Sequence, residues 1–89
     1  MEIIFSPRAA EDLKYWKKSG NRTIQIKIEK LLDAIQENPY KGIGKPEPLK
    51  HNLSGAWSRR ITQEHRLVYE VNDKNEIVTL DILSLKEHY

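Results

Sequence analysis

Cysteine is absent from all 89 residues, which excludes disulfides, thiolate nucleophiles and cysteine-ligated zinc together. Long apolar runs are absent too. No stretch approaches the roughly 20 residues needed to cross a bilayer, and the amino terminus lacks the basic, apolar, small-residue order of a signal peptide. A cytoplasmic protein with no membrane partner is therefore expected. His51 and His65 have no metal-ligand spacing, and they read as surface or loop residues. Gly42 and Gly44 lack the companions that a phosphate loop requires, and no calcium loop or nucleophile elbow is present. Neither a metal nor a cofactor is expected.

What is there is a chain 38% hydrophobic and 31% charged, with its apolar residues at regular spacings, as a folded domain requires. The length suits one domain, residues 1–89, with one modest core. Such a chain has room for a site on one face of a sheet rather than for an interdomain cleft. The net charge of +2 is unevenly spread: residues 41–66 carry six basic and two acidic side chains, whereas residues 67–89 carry two and five. A short basic block beside acidic sequence suits a patch facing an anion, with RNA the obvious polyanion. A solvated basic face with no partner is the plainer alternative.

Met1 to Phe5 reads as an opening strand. Ser6 and Pro7, a cap followed by a first-turn proline, start a helix. Ala10, Leu13 and Trp16 mark its apolar side, and Glu11, Asp12, Lys14, Lys17 and Lys18 fall on the others. Ser19, Gly20 and Asn21 break it. A second helix carries Ile24, Ile28, Leu31, Leu32 and Ile35 as one stripe and stops at Asn38 and Pro39. Ile26 lies off that stripe and suits either an exposed side chain or a subunit contact. After a shaped loop from Tyr40 to Lys50, three strands follow at Trp57–Thr62, Arg66–Val71 and Ile77–Leu83, with a turn at Asn72–Asn75. The fold class is α+β: a two-helix hairpin on a mainly antiparallel sheet of four to five strands.

Several side chains in this frame can carry chemistry. Glu47 stands between Pro46 and Pro48, and the second proline holds its backbone extended. A carboxylate held at low entropic cost in the most basic part of the chain suits a proton acceptor beside a phosphate, although a solvent-facing loop glutamate has the same local sequence. Arg60 and Arg66 flank a strand-to-strand turn. If Ile61 pairs with Leu67 across it, alternation puts both guanidiniums on the face opposite the core, where they can hold a phosphate and its developing charge. Arg59 falls on the Trp57 side and is expected to snorkel past the core edge. In the last strand Val78, Leu80 and Ile82 read as the core face. Leu83 and Leu85 then continue on odd positions, which suggests a bulge that would turn Ser84, Lys86 and His88 to the arginine side. A carboxylate, several cations and a histidine of near-neutral pKa make up a set able to cleave RNA without a metal.

The stretch from Gly42 to Val71, GIGKPEPLKHNLSGAWSRRITQEHRLVYEV, strongly resembles the Txe/YoeB toxins of the RelE superfamily, through its GKPEPLK run, NLSG turn, SRRI strand and EHRLVY strand. The terminal His88-Tyr89 pair completes the pattern, and Ala56 stands where the family has an aromatic residue. The resemblance implies a fold like that of small microbial ribonucleases and a ribosome-dependent endoribonuclease acting on mRNA in the ribosomal A site. It implies Glu47 as general base, His88 as general acid and Arg66 as the stabiliser of transition-state charge. Lys50 and Arg60 would support substrate phosphate, and Tyr89 would position the RNA. It further implies a YefM-like antitoxin and a homodimer. Two other functions fit the same frame: a ParE-like toxin acting on gyrase, and a non-catalytic RNA- or ribosome-binding module.

Overall fold

The computed structural model of the chain describes residues 2–50 and 54–82. Two helices pack on one face of a five-stranded sheet, in the expected α+β class. The elements in chain order are β1 (Ile3–Phe5), α1 (Pro7–Ser19), α2 (Arg22–Glu37), β2 (Glu47–Pro48), β3 (Trp57–Arg60), β4 (Arg66–Val71) and β5 (Ile77–Asp81). The sheet runs β1-β5-β4-β3-β2. β1 lies parallel to β5, and the other pairs are antiparallel.

Local chemistry sets both helix starts. The Ser6 hydroxyl accepts from the Ala9 amide, with Pro7 in the first turn, and Asn21 caps α2 by accepting from Ile24 N; each cap satisfies an amide that the helix itself leaves free. Gly20 ends α1 in the left-handed region at φ 73°, and the exposed Lys17 and Lys18 lie at the negative end of the helix dipole. Ile24, Ile28, Leu31 and Ile35 form the buried stripe of α2, with Leu32 half-buried beside them.

The buried line of α1 differs from the sequence reading. Ala9, Asp12 and Trp16 face inward, and Ala10 and Leu13 are half-buried. Asp12 is drawn in because its carboxylate accepts the Ile82 amide at 3.0 Å, which compensates for its loss of water. With these residues pack Ile61, Leu67, Tyr69, Ile77 and Ile82 from the sheet side.

The face assignment of β5 is also corrected. Ile77 and Thr79 are fully buried, and Val78 and Leu80 lie on alternate positions, half-exposed. Tyr69 pairs with Thr79, yet its neighbour Val68 pairs with Asp81, so Leu80 is the extra residue of a bulge. The change of parity therefore falls at Leu80, and Ile82 returns to the core. Leu80 packs instead against a second small cluster of Ala56, Val68 and Leu49. A strand apolar on both sides leaves its parity open in sequence, and the pairing with β4 decides it. Leu83 to Tyr89, including the odd-numbered leucines, lie outside the described residues, as do His51 and its two successors.

Arg59 does reach the Trp57 side of the sheet, but it does not snorkel. It is fully buried. Its Nε donates to the Tyr69 hydroxyl, Nη1 to Ile43 O, and Nη2 to the carbonyls of Asn38 and Lys41. Tyr69 in turn donates to Pro39 O. This ties the loop after α2 to the sheet and satisfies a buried cation with carbonyl oxygens instead of a carboxylate. His65 likewise is half-buried in its turn, in an edge-on contact with Trp16 whose ring centroids are 4.9 Å apart.

Candidate active site on the open sheet face

The site grows from the pairing of three short strands. β2 is two residues long, bounded by Pro46 and closed by Pro48, and it lies against β3 with Glu47 opposite Ser58 and Pro48 opposite Trp57. Pro48 donates no amide, which suits it to this outermost strand. The Leu49 amide then bonds Ala56 O at 2.9 Å. Glu47 is thus carried by the sheet rather than by a free loop.

β3 and β4 pair Ser58 with Val68, Arg59 with Leu67 and Arg60 with Arg66. The Ile61 amide bonds His65 O rather than pairing Ile61 with Leu67. That register differs by two residues from the sequence expectation, and a shift of two leaves every side chain on its face. Arg60 and Arg66 therefore do share one face, as direct cross-strand neighbours.

On that face Arg66 Nη1 lies 3.6 Å from Glu47 Oε1 and donates to Ser58 Oγ at 3.4 Å. Arg60 Nε is enclosed and has no hydrogen-bond partner among the described residues. Two guanidiniums directly opposite one another repel. One carboxylate offsets part of that repulsion and leaves the group net positive. The arrangement can accept an anion between the arginines and a proton on the neighbouring carboxylate. Below it, Ala56 and Val68 are almost fully buried, so the small residue at position 56 sits in an apolar floor, not on the surface.

Of the residues expected from sequence, Glu47, Arg60 and Arg66 come together. Lys50 is exposed, three positions along the chain from Glu47. His88 and Tyr89 lie outside the described residues. Ser58 was not anticipated, although the alternation of SRR puts it on the same side as Arg60, and that parity was the available signal. Among the described residues no group of three His, Asp or Glu side chains gathers as a metal site, and no helix is long and apolar enough to cross a membrane.

Known proteins give this geometry a family. Toxin YoeB of Escherichia coli K12 is 47% identical over 89 residues, covering the whole of both chains. The structure of a YoeB-YefM complex from Staphylococcus aureus contains a chain 48% identical to this one, with a TM-score of 0.85 and coverage of 96% of this chain and 97% of that one. A YoeB dimer from the same organism superposes with a TM-score of 0.84 at 46% identity and the same coverage. Residues 5–89 match the family described as the YoeB-like toxin of bacterial type II toxin-antitoxin systems. The chain belongs to that family.

Proposed function

We propose that this toxin is an endoribonuclease that cleaves mRNA in the ribosomal A site and so blocks translation. The observation that carries the reading is the Glu47 carboxylate 3.6 Å from the Arg66 guanidinium, with Arg60 directly across the strand pair. A base, a charge stabiliser and a second cation on one sheet face are what in-line attack by a ribose hydroxyl requires.

In this mechanism Glu47 takes the proton of the 2′-hydroxyl, and the freed oxygen attacks the adjacent phosphorus. Negative charge builds on the phosphorane oxygens, where Arg66 and Arg60 stabilise it and Lys50 adds a cation. The bond to the 5′ oxygen breaks as His88 donates a proton to it. The products are a 2′,3′-cyclic phosphate and a 5′-hydroxyl, and Glu47 retains the proton it removed until solvent takes it. Tyr89 positions the RNA. No step needs a metal ion or a cofactor.

The YoeB-YefM complex and the YoeB dimer of Staphylococcus aureus support a YefM-like antitoxin as the controlling partner and a homodimer as a state of this chain. A toxin of the translating ribosome works in the cytoplasm. Primer extension on mRNA undergoing translation, with the wild type, His88→Gln and a chain lacking residues 88–89, tests the reading. Cleavage by the wild type and its loss in both variants is expected; equal cleavage by the truncated chain rejects the assignment of the acid.

A further inference from the structure

α1 follows the end of β5 residue by residue. The Ser6 amide donates to Thr79 O at 2.9 Å, and its hydroxyl donates to Leu80 O at 3.0 Å. Arg8 Nε lies 3.3 Å from Asp81 Oδ2. At Ile82 both backbone groups are taken: the amide donates to Asp12 Oδ2 at 3.0 Å, and the carbonyl accepts from Trp16 Nε1 at 2.7 Å. These last two bonds are buried.

The arrangement follows from the bulge and from helix geometry. Among the described residues β4 pairs with β5 as far as Val68–Asp81, and β1 pairs with β5 no further than Thr79. On the side away from β4, where β1 has already ended, Ile82 therefore has no strand partner among the described residues. Asp12 and Trp16 are four residues apart on α1 and so stack on one side of the helix, where they supply the acceptor and the donor that a neighbouring strand would have supplied. A contact needed only for packing would be met by apolar side chains. A buried carboxylate and an indole N–H aimed at the two backbone groups of one residue instead fix the position of Ile82 against α1.

We propose that Asp12 and Trp16 are positioning residues for the cleavage reaction: by clamping Ile82 they set the anchor from which the chain carries His88 to the leaving oxygen. The inference rests on the reading of His88 as the general acid. His88 is six residues beyond Ile82, a length that spans at most about 20 Å, so the anchor governs which positions the imidazole can reach. An acid must come within about 3 Å of the atom it protonates, and a misplacement of about 1 Å can cost a hundredfold in rate.

The test uses the full chain and the rate of mRNA cleavage on translating ribosomes. Asp12→Ala slows cleavage about tenfold or more at saturating toxin. Asp12→Asn keeps an oxygen able to accept the Ile82 amide and restores a rate close to wild type. A folded Asp12→Ala chain that cleaves at the wild-type rate overturns the inference, as does an Asp12→Asn chain no faster than Asp12→Ala. If Asp12→Ala does not fold, Trp16→Phe keeps the ring but cannot donate to Ile82 O; its expected result is the same slowing, and a wild-type rate again overturns the proposal. A wild-type chain that leaves mRNA intact sinks the endoribonuclease reading, and a fully active His88→Gln sinks the acid. Both results are distinct from failure of the clamp alone.

Discussion

Arg59 Nε donates to the Tyr69 hydroxyl across the interior at 3.1 Å, and the two side chains between them bond four carbonyls of the loop that leaves α2. Asn38, Lys41 and Ile43 accept from the guanidinium, and Pro39 accepts from the phenol. The chain that runs on to Glu47 is therefore held from inside the core.

Arg59→Ala removes the donor from three part-buried carbonyls and from the buried Tyr69 oxygen together. Each orphaned group costs about 1–3 kcal/mol, so a destabilisation of about 3 kcal/mol or more is expected. Urea unfolding measures it. Arg59→Lys recovers only part of the loss, since an ammonium group lacks the planar fork that reaches three separate oxygens. A change below about 1 kcal/mol in Arg59→Ala would mean that water replaces the guanidinium without penalty.

Tyr69 couples stability to alkaline pH. Burial raises its pKa above the ordinary 10.0, and the hydrogen bond and charge of Arg59 act in the opposite direction without cancelling it. The folded chain thus keeps a proton that the unfolded chain releases. This contribution to stability is intact below about pH 10 and is lost as the pH rises through the folded value. Ultraviolet titration should show one late phenol ionisation that disappears in Tyr69→Phe; an unchanged late phase in that variant would assign it to another tyrosine.

Gly44 has φ 84°, and a Cβ there would meet Leu31 Cδ2 at 2.6 Å and Arg59 Cβ at 3.1 Å. Its carbonyl also accepts the Arg60 amide at 2.7 Å. Gly44→Ala combines backbone strain with overpacking and should destabilise by about 2 kcal/mol or more. Gly20, at φ 73° with open space around it, carries the backbone cost alone, so Gly20→Ala should lose about 1 kcal/mol. Thermal unfolding of the two variants side by side checks the order.

Glu47→Ala should slow mRNA cleavage by about 10²-fold or more with little change in thermal stability, because the side chain is more than half exposed and its ion pair is correspondingly screened. Arg66→Lys keeps the charge but loses the planar fork, and it should cleave more slowly than wild type while still folding. Rates measured on translating mRNA decide both; a wild-type rate in Glu47→Ala would remove that carboxylate from the mechanism.

Elements governed by near neighbours in the chain were legible before any fold was known. Ser6 with Pro7, Asn21, and Gly20 act within one helical turn of themselves, and the α2 stripe repeats at the helical period. The shared face of Arg60 and Arg66 was legible even though their pairing partners were not, because a register error of two residues preserves parity. The inward Asp12, the buried Arg59 and the placing of the expected bulge at Leu80 were not legible. Each depends on a group far along the chain: the Ile82 amide for Asp12, the loop carbonyls and Tyr69 for Arg59, and the Val68 pairing for Leu80.

By itself the amino-acid order determined the helices, every strand but the short β2, the family resemblance and the residue types able to move a proton and steady a phosphate. Only the tertiary structure decided that Glu47 meets Arg66, that Arg59 is fully buried rather than snorkelling past the core edge, and that α1 grips both backbone groups of Ile82. The physical reason is one of range. Periodicity and caps are set by interactions a few residues apart, whereas the position of a buried charge is settled by whichever oxygens or amides the fold brings within about 3 Å of it.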